Sequence, residues 1–267
     1  MKFPRSMLRV ALLLIGLSQS LVISNAQFDP LLNPRGAPQA KTPEELDAYL
    51  EIATAQESRV TIEKVEQFAS KYPSSELLGV AYQDETLAYK QMNDIEGVLR
   101  AGKRTLELQP NNVTTLLTLA AVIPNAVERR SNAAEFLDQA EEYAQRALQQ
   151  LTKVIVPHEV TLERWTVMRG EMEALAHEAL GHVAAKRGNL PRAMSELEEA
   201  AFHNPTPQGS QFYRLGVVYA MLGKYERADQ ALRRAADLGP DAIRQLALRE
   251  LKRLNAAKPS RGQVHTQ

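Results

Sequence analysis

Apolar residues recur every three or four positions from Thr42 to about Asn255, with polar residues between them. This spacing places the apolar side chains on one face of a helix, and no segment alternates with a period of two for long enough to predict a strand. Thr42 is the expected N-cap of the first helix, Pro43 fits its first turn, and Glu45 completes a capping box. The pattern therefore predicts an all-α protein whose structure begins at Thr42.

Prolines divide the helical pattern at spacings of 37, 47, 48 and 35 residues. Proline cannot continue a helix, so each of these prolines is expected to follow the second helix of a pair. They are Pro73, Pro110, Pro157, Pro205 and Pro240. Breaks that recur at a period of roughly 34 residues are typical of a helix-pair array, in which each pair buries one face against the next.

The clearest unit runs from Gly209 to Pro240, and it resembles the tetratricopeptide repeat (TPR). The residues that carry the resemblance are Phe212, Leu215, Gly216, Tyr219, Gly223, Tyr225, Ala228, Leu232, Ala235 and Pro240. The preceding unit follows the same order with His177, Leu180, Gly181, Ala184, Gly188, Leu190, Ala193, Leu197, Ala200 and Pro205. Small residues such as Gly216 and Ala228 let two helices approach closely, while the larger residues fill the space around that contact.

The resemblance implies a right-handed α-α superhelix (TPR solenoid) of about five helix pairs plus a C-terminal capping helix. We expect the solenoid over residues 42–256, with the strongest repeats at 174–207 and 209–242 and weaker repeats at 42–74, 79–112 and 113–157. The repeat at 79–112 is degenerate, because Thr86 stands where glycine is usual and Val98 where alanine is usual. The chain is longer than the repeat pattern requires at 124–131 and 152–160. These insertions either have no function or form an edge of the solenoid that carries function.

The two ends of the chain lack the helix-pair pattern. Residues 1–26 are predicted to be a signal peptide, with cations near the start, an apolar run and cleavage between Ala26 and Gln27. An uncleaved membrane anchor is the alternative, but the apolar run is shorter than the roughly 20 residues that a span needs. We expect a flexible linker at 27–41, a disordered tail at 257–267, and a periplasmic or secreted mature protein without a membrane span.

Composition argues against several functions. The 32 basic and 32 acidic residues cancel, so no excess of positive charge is available to gather nucleic acid. The chain has no cysteine, which excludes disulfides, thiolate nucleophiles and zinc sites built on cysteine. Its sequence also lacks a phosphate-binding glycine loop, a nucleophile elbow and a calcium loop. We therefore expect no nucleic-acid partner, no cofactor and no catalytic residue.

The stretch AHEALGHVAAKRG, residues 176–188, places two histidines beside a glutamate and raises the question of a metal site. A zinc protease helix needs H-E-x-x-H, which puts both imidazoles on one face. His177 and His182 are five residues apart, a rotation of roughly 140°, so an unbroken helix points them in different directions. We interpret the stretch as the first helix of a repeat, without a metal. The remaining histidines, His158, His203 and His265, each stand alone in the sequence.

The long helical stretch that ends near Lys186 contains the sole tryptophan. Trp165, Met168, Met172 and Leu175 have the spacing of one buried stripe. This spacing favours a core position for Trp165, with a ligand cage as the alternative.

TPR stacks similar to this one bind peptides or protein segments along a concave groove. The resemblance thus implies a non-enzymatic interaction scaffold of the bacterial cell envelope with a protein or peptide partner. The first helices of the repeats are expected to line the groove with side chains opposite the packing arc. These side chains are Val80, Gln83, Leu87, Lys90, Glu178, His182, Lys186, Tyr213, Val217 and Met221. The alternatives are a periplasmic protein that binds a small ligand or metal through its elongated middle, and an enzyme with an unfamiliar site.

Two features of the predicted groove residues indicate what kind of partner they favour. The carboxylate clamp of some co-chaperone repeats needs basic and amide residues in the groove. The strong repeats of this chain instead carry Glu178 with His182, and Tyr213 with Val217. This difference argues against a co-chaperone role. Tyr213, Val217 and Met221 would form an apolar patch with an aromatic anchor, a composition typical of a binding hot spot. In the alternative arrangement, the long helix or the capping helix covers this patch.

Overall fold

The computed structural model of the protein describes residues 38–127, 132–153 and 160–257. Their regular secondary structure consists of eleven α-helices without a strand, which confirms the all-α prediction for this part of the chain. The helices are α1 (Pro43–Ala53), α2 (Ser58–Lys71), α3 (Leu78–Gln91), α4 (Ile95–Leu108), α5 (Val113–Ala126), α6 (Ala133–Leu151), α7 (Leu162–Lys186), α8 (Leu190–His203), α9 (Gly209–Met221), α10 (Tyr225–Leu238) and α11 (Asp241–Ala257).

Several sequence predictions fall on residues outside these ranges. They are the signal peptide with Ala26 and Gln27, most of the linker at 27–41, and all but the first residue of the tail at 257–267. The insertions at 124–131 and 152–160 are described only in part. The first of them begins inside α5, which continues through Pro124 to Ala126.

Helix starts and turns follow from local side chains. Thr42 caps α1, since its Oγ1 accepts a hydrogen bond from the Glu45 backbone N–H at 3.2 Å. The turns after α3, α7 and α9 each contain one residue with positive φ: Asn93 at 56°, Gly188 at 74° and Gly223 at 69°. Glycine and asparagine adopt this left-handed conformation at the least steric cost, so the same turn recurs in three repeats.

The chain divides into two compact units between Arg169 and Gly170, a boundary that lies inside α7. In the first unit, α3 contacts α1 and α2 on the N-terminal side and α4 and α5 on the C-terminal side. Its core includes Tyr49 and Phe68, whose rings meet nearly edge-on with centroids 6.3 Å apart.

In the second unit, a single buried cluster joins residues of α7, α8, α9, α10 and α11. The capping helix α11 contributes three apolar side chains to this cluster. They are Ala247, Leu251 and Leu254.

Close approach of the two helices in a pair depends on one small residue. A Cβ on Gly181 would lie 2.8 Å from Leu197, and a Cβ on Gly216 would lie 2.7 Å from Leu232. In the degenerate second repeat, the corresponding positions hold Thr86 and Gly102, and both are buried. A Cβ on Gly102 would lie 2.7 Å from Leu119 of α5, so in this repeat the small residue of the second helix makes room for the following helix pair.

The predicted stripe on α7 is correct for three of its four members. Trp165, Met168 and Met172 are buried, so the tryptophan is a core residue. Leu175 is 40% exposed, and its assignment to the stripe is wrong. Ten residues advance the helix by about 1000°, which leaves Leu175 roughly 80° away from Trp165 and beyond the buried side.

Candidate functional site

The predicted groove residues of the second unit lie on α7 and α9, and we call them the α7–α9 face. This face consists of Glu178, His182, Lys186, Tyr213, Val217 and Met221. All six are expected to point away from the packed side of their helix.

Glu178 fixes α7 to α9. One carboxylate oxygen forms an ion pair with Arg214, and the other accepts a 3.4 Å hydrogen bond from the Nε2 amide of Gln211. Only 12% of the Glu178 side chain is exposed. Burial also lowers the pKa of Arg214 from its ordinary value. The carboxylate of Glu178 is therefore already paired within the repeat stack, so it contributes little to the binding of an external partner.

His182 lies half-buried one turn further along α7. Burial lowers its pKa, and the positive charge of Lys186 lowers it further. The neutral imidazole is therefore favoured near neutral pH. Lys186 itself is exposed at the end of the helix.

Tyr213, Val217 and Met221 lie one helical turn apart on α9 and differ in exposure. Met221 is 63% exposed, whereas Tyr213 and Val217 are half-buried. Tyr213 packs against the core cluster that contains residues of α11. Burial raises the pKa of its hydroxyl, and the nearby carboxylate of Glu250 on α11 raises it further. The capping helix thus covers Tyr213 in part and leaves Met221 open.

The predicted groove residues of the first unit are less accessible. Val80 is 6% exposed and Gln83 is 1% exposed, so their expected position in an open groove is wrong. Val80 belongs to the core cluster, and the Oε1 of Gln83 accepts a 2.7 Å hydrogen bond from the Asn112 side chain. The physical reason is that neighbouring helices pack on both sides of α3. Leu87 is half-buried and Lys90 is exposed.

The two histidines of the AHEALGHVAAKRG stretch have separate surroundings. His177 contacts Glu196 of α8 through its Nδ1, at 2.9 Å, whereas the pKa of His182 responds to burial and to Lys186. Within the ranges that the structure describes, no three His, Asp or Glu side chains are grouped so that they could hold a metal ion.

Sequence reasoning missed a partner of His177. The ring of His203 stacks on that of His177, although His203 was expected to stand alone. The two residues are far apart in the sequence and come from different helices. Only the register between α7 and α8 reveals their contact.

No protein-family model matches the sequence, and no curated protein matches it either. Among solved structures, a thermophilic TPR protein of Thermus thermophilus aligns with a TM-score of 0.52, covering 78% of this chain and 96% of that chain at 15% sequence identity. The chain has the TPR fold. Accordingly, its helix pairs have the fold of TPR repeats, and its fold class is the α-α solenoid that the resemblance implied.

Two further structures align with lower scores. The TPR domain of P58(IPK) gives a TM-score of 0.31 at 15% identity over 81% of this chain and 65% of that one. A tetratricopeptide repeat protein from Parabacteroides merdae gives 0.29 at 14% identity over 79% and 96%. No helix in the described part of the chain is both long and apolar enough to cross a membrane.

Proposed function

We propose that this TPR protein is a non-enzymatic scaffold that binds an apolar segment of a partner protein on the α7–α9 face. The observation that carries the proposal is Met221, which is 63% exposed beside the half-buried Tyr213 and Val217. A flexible thioether next to an aromatic ring is a composition that recurs at protein-binding surfaces.

The electrostatics of the face favour an apolar partner segment over a strongly charged one. Glu178 is paired with Arg214, and the neutral form of His182 is favoured by its lowered pKa. An apolar side chain that covers Met221 would release water from both surfaces without leaving a buried charge unpaired.

The non-enzymatic part of the proposal rests on the sequence. A hydrolase needs a nucleophile beside a base or a metal held by spaced ligands, and the chain carries no motif for either. The interaction role agrees with the TPR fold, whose stacked helix pairs present extended surfaces.

We also propose that the scaffold acts outside the cytoplasm of a bacterial cell, in the periplasm or beyond. The support is the predicted signal peptide, with its small residues before Gln27. The intact mass of the protein after cell fractionation tests this. A mature chain that starts at Gln27 in the envelope fraction is expected, and a full-length cytoplasmic chain would contradict the proposal.

Site-specific photo-crosslinking tests the binding face. A photo-reactive residue in place of Met221 should trap a defined partner in the cell envelope. The matched control replaces Met92, which is 45% exposed at the end of α3, and it should not trap that partner. If both positions trap the same proteins, or neither traps any, the α7–α9 face is not the binding site.

Substitutions then separate binding from folding. Met221→Asp should remove the trapped partner from affinity capture, whereas Met221→Leu, which keeps an apolar side chain, should retain it. Both variants should melt like the wild type because the side chain is exposed. The variant Gly216→Leu serves as a core control, since its side chain would overlap Leu232 and unfold the repeat.

A further inference from the structure

The outer side of α1 is acidic. The helix carries four acidic residues and no basic one, and its buried side contacts α2 and α3. On the opposite side, Glu44, Asp47 and Glu51 are exposed at positions i, i+3 and i+7, so they form one stripe along the helix. We call these three residues the acidic face. Leu50 lies beside this face and is half-buried.

The segment that precedes α1 leaves the acidic face open. The Nζ of Lys41 donates a 2.7 Å hydrogen bond to the backbone carbonyl of Ser74, and the backbone N–H of Gln39 donates to Oε2 of Glu76 at 3.2 Å. Residues 39–41 therefore follow the turn between α2 and α3 and do not cover the outer side of α1.

The centre of the acidic face carries an unpaired charge. At one edge, Glu51 forms a 2.6 Å ion pair with Lys64 of α2, although 66% of the Glu51 side chain remains exposed. Asp47 lies between Glu44 and Glu51, and it forms no ion pair within the part of the chain that the structure describes. Its carboxylate is thus available to a cation from another molecule.

The outer side of α11 is basic. This helix carries four basic residues and two acidic ones. Opposite the side that packs on the core cluster, Arg249 and Lys252 are exposed at positions i and i+3, and Leu248 beside them is 52% exposed. We call these three residues the basic face.

The acidic residues of α11 are paired with its other two cations. Arg244 lies 2.8 Å from Asp241, and Arg253 lies 2.6 Å from Glu250. The two cations of the basic face form no ion pair with the residues that the structure describes. The first and the last described helix therefore each expose charge that is not offset within the described ranges, and the two charges have opposite signs.

We propose that the basic face of one molecule docks on the acidic face of a second copy of the chain. The two cations of the basic face pair with Asp47 and its acidic neighbours, because complementary charge attracts and orients such surfaces. Leu248 packs against Leu50, which adds the burial of apolar surface to the ion pairs.

Two observations favour a second copy over other occupants. The chain itself supplies both complementary faces, so a matching surface is present wherever the protein is. An anionic membrane is a poorer match, because a helix that lies on a membrane presents a broad apolar side, whereas Leu248 is the one large apolar side chain of α11 that is exposed among those described. The exposed carboxylate of Asp241 would also be repelled by anionic lipid.

The contact joins two different surfaces and is therefore heterologous. A dimer formed in this way retains one free face of each kind, so further copies can add at either end. The α7–α9 face shares no residue with the acidic or the basic face. The inference thus does not depend on the proposed function.

Sedimentation of the mature chain over a range of protein concentrations tests the proposal. We expect the average mass to rise with concentration at low salt and the association to weaken as salt is added. Asp47→Lys should weaken self-association by about tenfold or more, because it places like charges at the centre of the contact. Arg249→Glu combined with Lys252→Glu should have the same effect from the other face.

A mixture of these two variants gives the sharpest measurement. The Asp47→Lys chain keeps its basic face, and the double variant keeps its acidic face. Together they should form a one-to-one dimer that does not grow further, although neither variant associates strongly alone. This rescue requires that both variants be folded, and thermal melts of each variant check their folding independently.

Two controls separate this contact from other effects. Glu107→Lys reverses an exposed charge on α4 and should associate like the wild type. Met221→Asp, which disrupts the α7–α9 face, should also associate like the wild type, so that a failure of either proposal can be distinguished from a failure of the other. The proposal is wrong if the wild type remains monomeric at low salt, if either face variant associates as strongly as the wild type, or if the mixture of variants remains monomeric.

Discussion

Replacement of Glu85 by glutamine should remove a large part of the pH dependence of folding stability. Glu85 lies on α3 with 1% of its side chain exposed, and its Oε2 is 3.3 Å from the guanidinium of Arg104. The same guanidinium lies 2.8 Å from Glu66 and 3.9 Å above the ring of Tyr82. One cation thus serves two carboxylates, and only Glu66 is well exposed to water.

Burial raises the pKa of Glu85 to about 7, and the negative charge of Glu66 adds to this effect while Arg104 opposes it. A rise from the ordinary value of 4.5 to about 7 makes ionisation roughly 3 kcal/mol less favourable in the folded chain than in the unfolded chain. Between these two values the folded chain binds more protons. The free energy of unfolding therefore falls as the pH rises through this window, and the loss is complete above about pH 7.

Urea unfolding of the wild type and of Glu85→Gln at a series of pH values from 5 to 8 measures this effect. The wild type should lose up to roughly 3 kcal/mol relative to the variant across the series, because glutamine cannot ionise. Glu107→Gln provides the control, since Glu107 is an exposed residue of α4, and it should follow the wild type. The reasoning is refuted if Glu85→Gln and the wild type show the same pH profile.

Three further substitutions test the packing of the last complete repeat, each by thermal or urea unfolding. Gly216→Ala should destabilise the protein by about 1 to 3 kcal/mol, because its Cβ would lie 2.7 Å from Leu232, and unchanged stability would contradict the close contact. Gly223→Ala should cost about 1 kcal/mol through its φ of 69° alone, since nothing lies within 4 Å of the added Cβ. Tyr219→Phe should lower the free energy of unfolding by about 1 kcal/mol, because it removes the 2.6 Å hydrogen bond to Glu198. Ultraviolet titration of the wild type should detect a tyrosine whose pKa is raised to about 12.

Local signals were sufficient to predict the helices and their turns. Gly188 and Gly223 each mark a turn because a left-handed backbone conformation favours glycine, and the positive φ at both positions agrees. The capping role of Thr42 could be predicted in the same way, since it depends on residues within one turn. Such features depend on the conformational preferences of single residues, so the residue type alone is enough to predict them.

Accessibility depends on more than the face of a single helix. The sequence prediction assumes that α3 packs against other helices along one arc of its surface. In the structure, α3 contacts two helices on its N-terminal side and two on its C-terminal side. Val80 and Gln83 therefore became buried although they lie opposite the predicted packing arc. At α9, close to the C-terminal end of the stack, the same argument gives a better result, because Met221 remains exposed.

The groups with the most unusual surroundings are those that the sequence could not bring together. Glu85 looks like an ordinary surface residue of an amphipathic helix, and Arg104 follows nineteen positions later on α4. His203 looks like a loop histidine until the register of α8 places it on His177. In both cases the contact joins two helices, so that it depends on how closely their backbones approach. That distance is set by small residues such as Gly97, which lies against Tyr89 of α3, and Gly170, which lies against the end of α8. It decides which polar side chains are forced to share a desolvated space.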